Sequence, residues 1–308
     1  MVSMHILMYE AKQTSGGGKM NDRTILCVFG DARQAYTAGS LSKFSNVYTY
    51  GITNAVGNAV ILENLDAMEG KADVLLLPMM SSDGLEIGVF HGKKIYCSEL
   101  VPYLKKNALV TGGRLSIKQI EYFSALGFDV ADYFKREELV IKNCIPTAEG
   151  ALQIAMQELA TTINGLDVLV IGYGRVGKAA ARLFQSCGAL TTVTARRTAQ
   201  LAEAENNGLL SFDIRELFPR ITRFGLIVNT VPSMILTSEM LEAVGKDSLI
   251  IDLASKPGGV DFESAKELNK RVVWALGLPG KVAPITSGEI IADAVKNIIV
   301  ERSMKNVT

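Results

Sequence analysis

The chain is poor in the residues that metal centres, disulfide frameworks and histidine-based catalysis require, with two histidines and four cysteines in 308 residues. Cys27, Cys97, Cys144 and Cys187 are widely scattered and contain no Cys-x-x-Cys pair. Neither a metal site nor a disulfide framework is therefore indicated, and buried free thiols are expected. Charge of one sign is not in excess either: 32 basic residues face 32 acidic ones. That balance argues against broad electrostatic capture of nucleic acid or of a membrane. Long hydrophobic runs are missing. Apolar stretches such as 248–254 are far too short to span a bilayer, and the first twenty residues hold no continuous signal-type region. With 48% apolar residues, the composition is that of a globular protein of the cytoplasm, long enough for two domains with separate cores.

What is present is a dinucleotide fingerprint. The apolar run 168–171 leads into Gly172-Tyr173-Gly174-Arg175-Val176-Gly177, and the residues from Lys178 to Cys187 carry Ala, Leu and Phe at helical spacing. A buried parallel strand, Gly-x-Gly-x-x-Gly and a helix together give a tight turn, close backbone approach to a pyrophosphate, and helix-on-strand packing. The end of the next strand selects the nucleotide. An acid there would accept from the ribose 2′-hydroxyl, whereas an arginine accommodates a 2′-phosphate. The acid is missing, and Ala195, Arg196 and Arg197 stand in its place. NADP is the expected cofactor, with NAD possible.

The pattern alternates strand and helix from Arg23 onward. A leader at 1–22, with Ser15-Gly16-Gly17-Gly18 and a second methionine at Met20, reads as a flexible extension. Strands are expected at 24–29, 47–50, 74–77 (stopped by Pro78), 94–96, 108–111 and 128–130, giving an α/β domain over 23–145. The turn around Pro146 then launches a connecting helix over 146–163, with Thr147 as cap and Glu149 in the first turn, where the helix dipole favours an anion. The dinucleotide-binding domain occupies 164–286, with five strands at 167–171, 191–194, 226–229, 248–253 and 272–275. This is a doubly wound parallel sheet. A last helix, 287–308, has an apolar face suited to packing back on the first domain.

Ligands of such sheets lie outside the carboxyl ends of the strands. The loops there are rich in small residues and proline: Asn229-Thr230-Val231-Pro232, Asp252 to Gly259 with Lys256 at its middle, and Gly277-Leu278-Pro279-Gly280. Asn229 to Pro232 are assigned to the ribose and nicotinamide side of the cofactor, with Gly277 and Pro279 also lining it. Dehydrogenases of 2-hydroxy acids usually pair a histidine with a carboxylate in the nucleotide domain. No histidine follows His91, which sits in a polar turn, and His5 lies in the leader.

Gly30-Asp31-Ala32-Arg33-Gln34, Pro146 to Gly150, Gly172 to Arg175, Asn229 to Leu236, Asp252 to Gly259 and Gly277 to Pro284 together resemble the family of dipicolinate synthase A chains, over a span from about Arg23 to the final helix. The resemblance implies an α/β fold like that of the two-domain formate and glycerate dehydrogenases, a Rossmann sheet plus a smaller flavodoxin-like α/β domain, with the active site in a cleft between them. It implies the closing oxidation of dipicolinic acid formation in sporulation, on a branch from lysine biosynthesis. Dihydrodipicolinate or its hydrated precursor would be the substrate and NADP or NAD the hydride acceptor. It further implies a partner, the flavoprotein-like B chain of dipicolinate synthase, in an oligomeric assembly.

The two carboxylates of such a substrate call for cationic forks or backbone N–H groups. Candidates are Arg33, Thr111, Gly112, Gly113 and Arg114 in the first domain, with Thr147 and Lys256. Arg33 can instead neutralise Asp31 at a helix start, and Arg114 and Lys256 can instead be solvated. Glu149 and Asp31 are the carboxylates available for proton transfer, although Glu149 can equally serve only the helix dipole. Because aromatisation makes hydride loss downhill, a strong dedicated base is not required.

Overall fold

A computed structural model describes residues 23–54, 56–80 and 83–305. The sequence features at 1–22, His5 among them, lie outside these residues. The chain divides into two compact units, Met1–Val140 with Pro284–Thr308, and Ile141–Ala283.

In the first unit, strands β1 (Thr24–Val28), β2 (Asn46–Tyr50), β3 (Val60–Leu62), β4 (Ala72–Met79), β7 (Leu104–Gly113) and β8 (Asp129–Asp132) form one parallel sheet in the order β3-β2-β1-β4-β7-β8. Crossovers leave β1 in opposite directions, so the ends of β1 and β4 flank the topological switch point. β5 (Glu86–Phe90) and β6 (Lys93–Tyr96) pair as a separate antiparallel hairpin. His91 and Gly92 turn it, with φ of +49° and +77°. Pro78 does not stop β4, which runs on to Met79. The β4–β7 register shifts between Leu76 and Met79, and such an irregularity is where a strand tolerates a residue with no N–H to donate.

The C-terminal helix Pro284–Lys305 belongs to this unit and packs on helix α1 (Ala32–Leu41). The contact is close because Gly288 has no side chain: a Cβ there would stand 2.7 Å from the Arg33 carbonyl oxygen. Thr37 Oγ1 donates to the Gly288 and Arg33 carbonyls, at 3.0 and 2.8 Å. The far end of the chain thus fixes the helix that carries Arg33.

The second unit holds β9 (Asp167–Ile171), β10 (Leu190–Ala195), β11 (Leu210–Asp213), β12 (Leu226–Asn229), β13 (Leu249–Asp252) and β14 (Arg271–Trp274), all parallel, in the order β11-β10-β9-β12-β13-β14. Val168 to Ile171 are fully buried because helices cover both faces of such a sheet. The sheet has one strand more than the five expected from the sequence. The addition, β11, is a four-residue edge strand whose Leu210 is exposed, too short and mixed to stand out.

Helix α2 (Cys144–Glu158) packs in this unit's core through Ala148, Ala151 and Ala155. It begins earlier than the sequence indicates, at Cys144 with Asn143 as its cap residue, because Pro146 sits in the first turn, where a missing N–H is harmless. Thr147 is consequently not the cap, and its hydroxyl donates to the Asn143 carbonyl at 2.8 Å. Glu149 falls in the second turn, where the helix dipole acts weakly.

Cys27 and Cys97 are buried free thiols and Cys144 is buried as well, whereas Cys187 is half-buried because it terminates a helix. Burial pushes the Cys27 and Cys97 thiols up to about 12, with a hydrogen bond to Gln34 opposing at Cys27, so neither is a nucleophile near neutral pH. Among the described residues no helix is long and apolar enough to cross a membrane, and no cluster of His, Cys, Asp and Glu could hold a metal ion.

Candidate functional site

Strand β9 delivers the chain into the glycine turn, where each glycine meets a different demand. Gly172 has φ of +91°, and a Cβ there would lie 2.7 Å from both Thr230 Oγ1 and Val231 Cγ2. A Cβ on Gly177 would stand 2.1 Å from the Gly172 carbonyl oxygen, so only glycine lets helix α3 (Arg175–Ser186) start this close to its strand. Gly174 differs: it caps α3, and a Cβ would meet nothing within 4 Å. No side chain caps α3 and its first turn, begun by Arg175 and Val176, contains no acid. The positive end of its dipole is thus presented to an anion beside open space.

The turn is held from two sides. Thr230 donates to the Ile171 carbonyl through its N–H at 3.0 Å and its hydroxyl at 2.9 Å. The buried Tyr173 accepts a hydrogen bond from Asn207 at its hydroxyl, 3.2 Å, and one from Gln200 at its carbonyl, 3.1 Å. At the end of β10, Ala195 is buried while Arg196 and Arg197 are exposed. Among the described residues neither arginine has an ion-pair partner.

The end of β12 is coupled to the next loop. Asn229 is fully buried, and its Nδ2 donates to Val231 O at 3.1 Å and to Asp252 Oδ1 at 2.8 Å. Asp252, also fully buried, accepts from the N–H groups of Ala254 at 3.0 Å and Gly259 at 2.8 Å. It thereby staples the loop that exposes Lys256. Sequence reasoning missed Asp252, whose one signal is a carboxylate ending an apolar strand. Changing Asp252→Asn would turn an amide N–H₂ toward a backbone donor. It should cost about 1–3 kcal/mol, read as a lower Tm of the unliganded chain. Thr230 and Val231 meet Gly172, whereas Pro232 is exposed. Gly277, with φ of +69°, and the buried Pro279 open the turn after β14, with Leu278 packed where a Gly150 Cβ would lie. Glu149 is exposed.

In the first unit, β1 ends in a strained turn, with Phe29 at φ of +51° and Gly30 at +105°. The Phe29 ring occupies the places where Cβ atoms of Gly51 and Gly88 would fall, at 2.5 and 2.6 Å. Asp31 then caps α1, accepting from Arg33 N at 3.0 Å, and its carboxylate also takes Arg33 Nε at 2.9 Å and Nη2 at 2.6 Å. Burial pulls the Asp31 carboxyl upward, but the hydrogen bonds and charge of Arg33 outweigh it and hold the group below the usual carboxylate range. Asp31 is therefore a weak proton acceptor near neutral pH and mainly orients Arg33. Because its folded pKa is depressed, the pair's stabilisation is present above the unfolded carboxylate range and lost as pH falls through the lower folded value. Asp31→Asn should remove that part of the acid limb, an effect below about 1 kcal/mol for a pair whose carboxylate is half exposed, measured as Tm against pH.

Gly30, Asp31, Arg33, Gln34, Met79, Tyr133 and Ile291 line a small cavity at this switch point. Gly113 lies against the Tyr133 ring, where a Cβ would come within 2.7 Å of ring carbon and 2.8 Å of the hydroxyl. Thr111 is fully buried on β7, and Gly112 packs against Leu77 and Leu115. Arg114, at φ of +55°, lays its guanidinium 4.9 Å from the centre of the Phe134 ring. The fold thus gathers Arg33 and Gly113 around Tyr133, a residue that sequence reasoning missed.

Two family models match. Residues 24–134 fit the N-terminal domain of the dipicolinate synthase A chain, and residues 148–277 fit the alanine dehydrogenase/PNT C-terminal domain. The dipicolinate synthase A chain of Bacillus subtilis is 41% identical over 168 residues, which is 54% of this chain and 57% of that protein, little more than half of either. The crystal structure of the dipicolinate synthase A chain from Bacillus subtilis superposes with a TM-score of 0.82 at 30% identity, covering 94% of this chain and 100% of that one. Its counterpart from Bacillus halodurans gives 0.82 at 29% identity, covering 91% and 98%. The class that the fold and glycine turn define is that of the two-domain NAD(P)-dependent oxidoreductases. Within it, this chain belongs to the family of dipicolinate synthase A chains.

Proposed function

We propose that the chain oxidises dihydrodipicolinate, or its hydrated precursor, to dipicolinate with NADP as acceptor, working beside the flavoprotein-like B chain of dipicolinate synthase. The observation that carries the choice of nucleotide is the pair of exposed arginines at the end of β10, Arg196 and Arg197, neither of which has an ion-pair partner among the described residues. The residues fit the cofactor on their own geometry. Open space at Gly174 beside an uncapped helix start receives the pyrophosphate. Arg196 and Arg197 take the 2′-phosphate, and Asn229 to Pro232 border the nicotinamide ribose.

A bound nicotinamide would supply the acceptor for hydride from a ring carbon of the substrate. One proton leaves to solvent, and the hydrated form also loses water. The chain's own part is to fix the diacid and keep it oriented. Arg33, held in place by Asp31, is the strongest candidate for a carboxylate, with Thr111 to Gly113 beside it. Arg114, Thr147 and Lys256 are further candidates. Glu149, exposed and outside the first helical turn, has the weaker case for proton transfer, and aromatisation lowers the need for it.

The test is dipicolinate's ultraviolet absorbance on mixing the chain with substrate and NADP, with and without the flavoprotein-like partner. Product from the chain alone would remove the reading in which it is only a nucleotide-binding scaffold. No product even with the partner present would overturn the proposal.

A further inference from the structure

The cavity at the end of β1 contains a group that the fold itself leaves unused. Tyr133 is fully buried, yet among the described residues its hydroxyl has no hydrogen-bond partner, and neither does the buried Thr111 hydroxyl. A buried hydroxyl without a partner forfeits its hydration and gains nothing in return, and a phenylalanine in its place would avoid that cost. The surroundings are not indifferent to the ring. Gly113 is the residue that leaves room for it, and the hydroxyl would clash with a Cβ there at 2.8 Å. Arg33 and Tyr133 line the same cavity, and the charge of Arg33 acts on the phenol, although burial dominates and raises its pKa. Arg33 spends Nε and Nη2 on Asp31, while its Nη1 makes no hydrogen bond among the described residues.

A charged fork with one arm committed and a neutral, unpaired donor on the same small cavity make a seat for one group in particular. A carboxylate has two oxygens and needs one donor for each. A cation would be repelled by Arg33, and an apolar group would leave both donors unsatisfied.

We infer that Tyr133 is a substrate-positioning residue whose hydroxyl donates to a carboxylate held by Arg33, within the first unit. Resting on the diacid reading above, this adds a contact that decides which acids are accepted. The phenol stays protonated and neutral, so it discriminates by geometry rather than by charge.

The test is Tyr133→Phe in the full chain, titrated calorimetrically with pyridine-2,6-dicarboxylate and, separately, with malonate. Hydrogen bonds to charged groups predict about a 10- to 100-fold loss of affinity for the acid. Nucleotide affinity should be unchanged and Tm equal or higher, since no internal bond is lost. A merely structural role would instead lower Tm and leave the acid affinity alone. If Tyr133→Phe binds pyridine dicarboxylate as tightly as the wild type, this inference fails and the diacid reading stands. If the wild type ignores pyridine dicarboxylate but binds malonate in a Tyr133-dependent way, the seat stands and the dipicolinate reading fails. If the wild type binds neither acid, both fail.

Discussion

Replacing Arg196 and Arg197 together with serine should weaken NADP binding at least tenfold and approaching a hundredfold, while NAD affinity changes by less than about threefold. The argument starts at β10, where five buried residues end in Ala195 and the chain then emerges with two arginines and no acid. A carboxylate there would repel a 2′-phosphate. Two guanidinium forks instead match its oxygens in bidentate pairs. Because both side chains are exposed, water and salt screen them, and the low end of the expected range applies. The gap between NADP and NAD should accordingly narrow as ionic strength rises. A lysine in place of either arginine keeps the charge and loses the fork, so an intermediate loss is expected. Equal weakening of NADP and NAD in the double variant would show that these side chains do not read the phosphate.

Much of the second unit is legible in the sequence because several constraints coincide there. Val168 to Ile171 must be buried on both faces, Gly172 must adopt a positive φ, and Gly177 must tolerate a carbonyl at contact. Each leaves a mark in residue type. The first unit is less explicit. Pro78 reads as a terminator, and only the shifted β4–β7 register reveals why the strand continues through it. The second unit misleads too, at helix α2: Thr147 reads as a cap because Thr before an apolar helix commonly is one, yet Asn143 precedes a helix that accepts Pro146 in its first turn. The site suffers from the same limit. Arg33 is visible beside Asp31 because both lie in one short motif, and the bidentate pair follows from two-residue spacing. Tyr133 is not, since it meets Gly113 only through the pairing of β7 with β8 and carries no local pattern. Asp252 is nearly as quiet: a carboxylate ending an apolar strand is its one signal, and its partners come from the end of β12 and from its own loop.

The glycine turn offers a pair of substitutions whose effects should separate folding from binding. Gly177→Ala places a methyl 2.1 Å from a backbone oxygen that cannot rotate away. Helix α3 or the turn must shift, at a cost of about 1–3 kcal/mol, and both Tm and nucleotide affinity should fall. Gly174→Ala adds the same methyl to open space, at φ of −82° and ψ of −166°, a conformation alanine adopts freely. Its loss of cap propensity and its smaller unfolded-state entropy roughly offset, so stability should change by less than about 1 kcal/mol. The methyl nonetheless lies at the helix start, where a pyrophosphate would approach the backbone. Affinity for both NAD and NADP should therefore drop tenfold or more while Tm without nucleotide stays put. Calorimetric Kd values set beside Tm for the two variants make the comparison. Normal nucleotide binding by Gly174→Ala would mean that the open space at the cap is not where the coenzyme's phosphates lie.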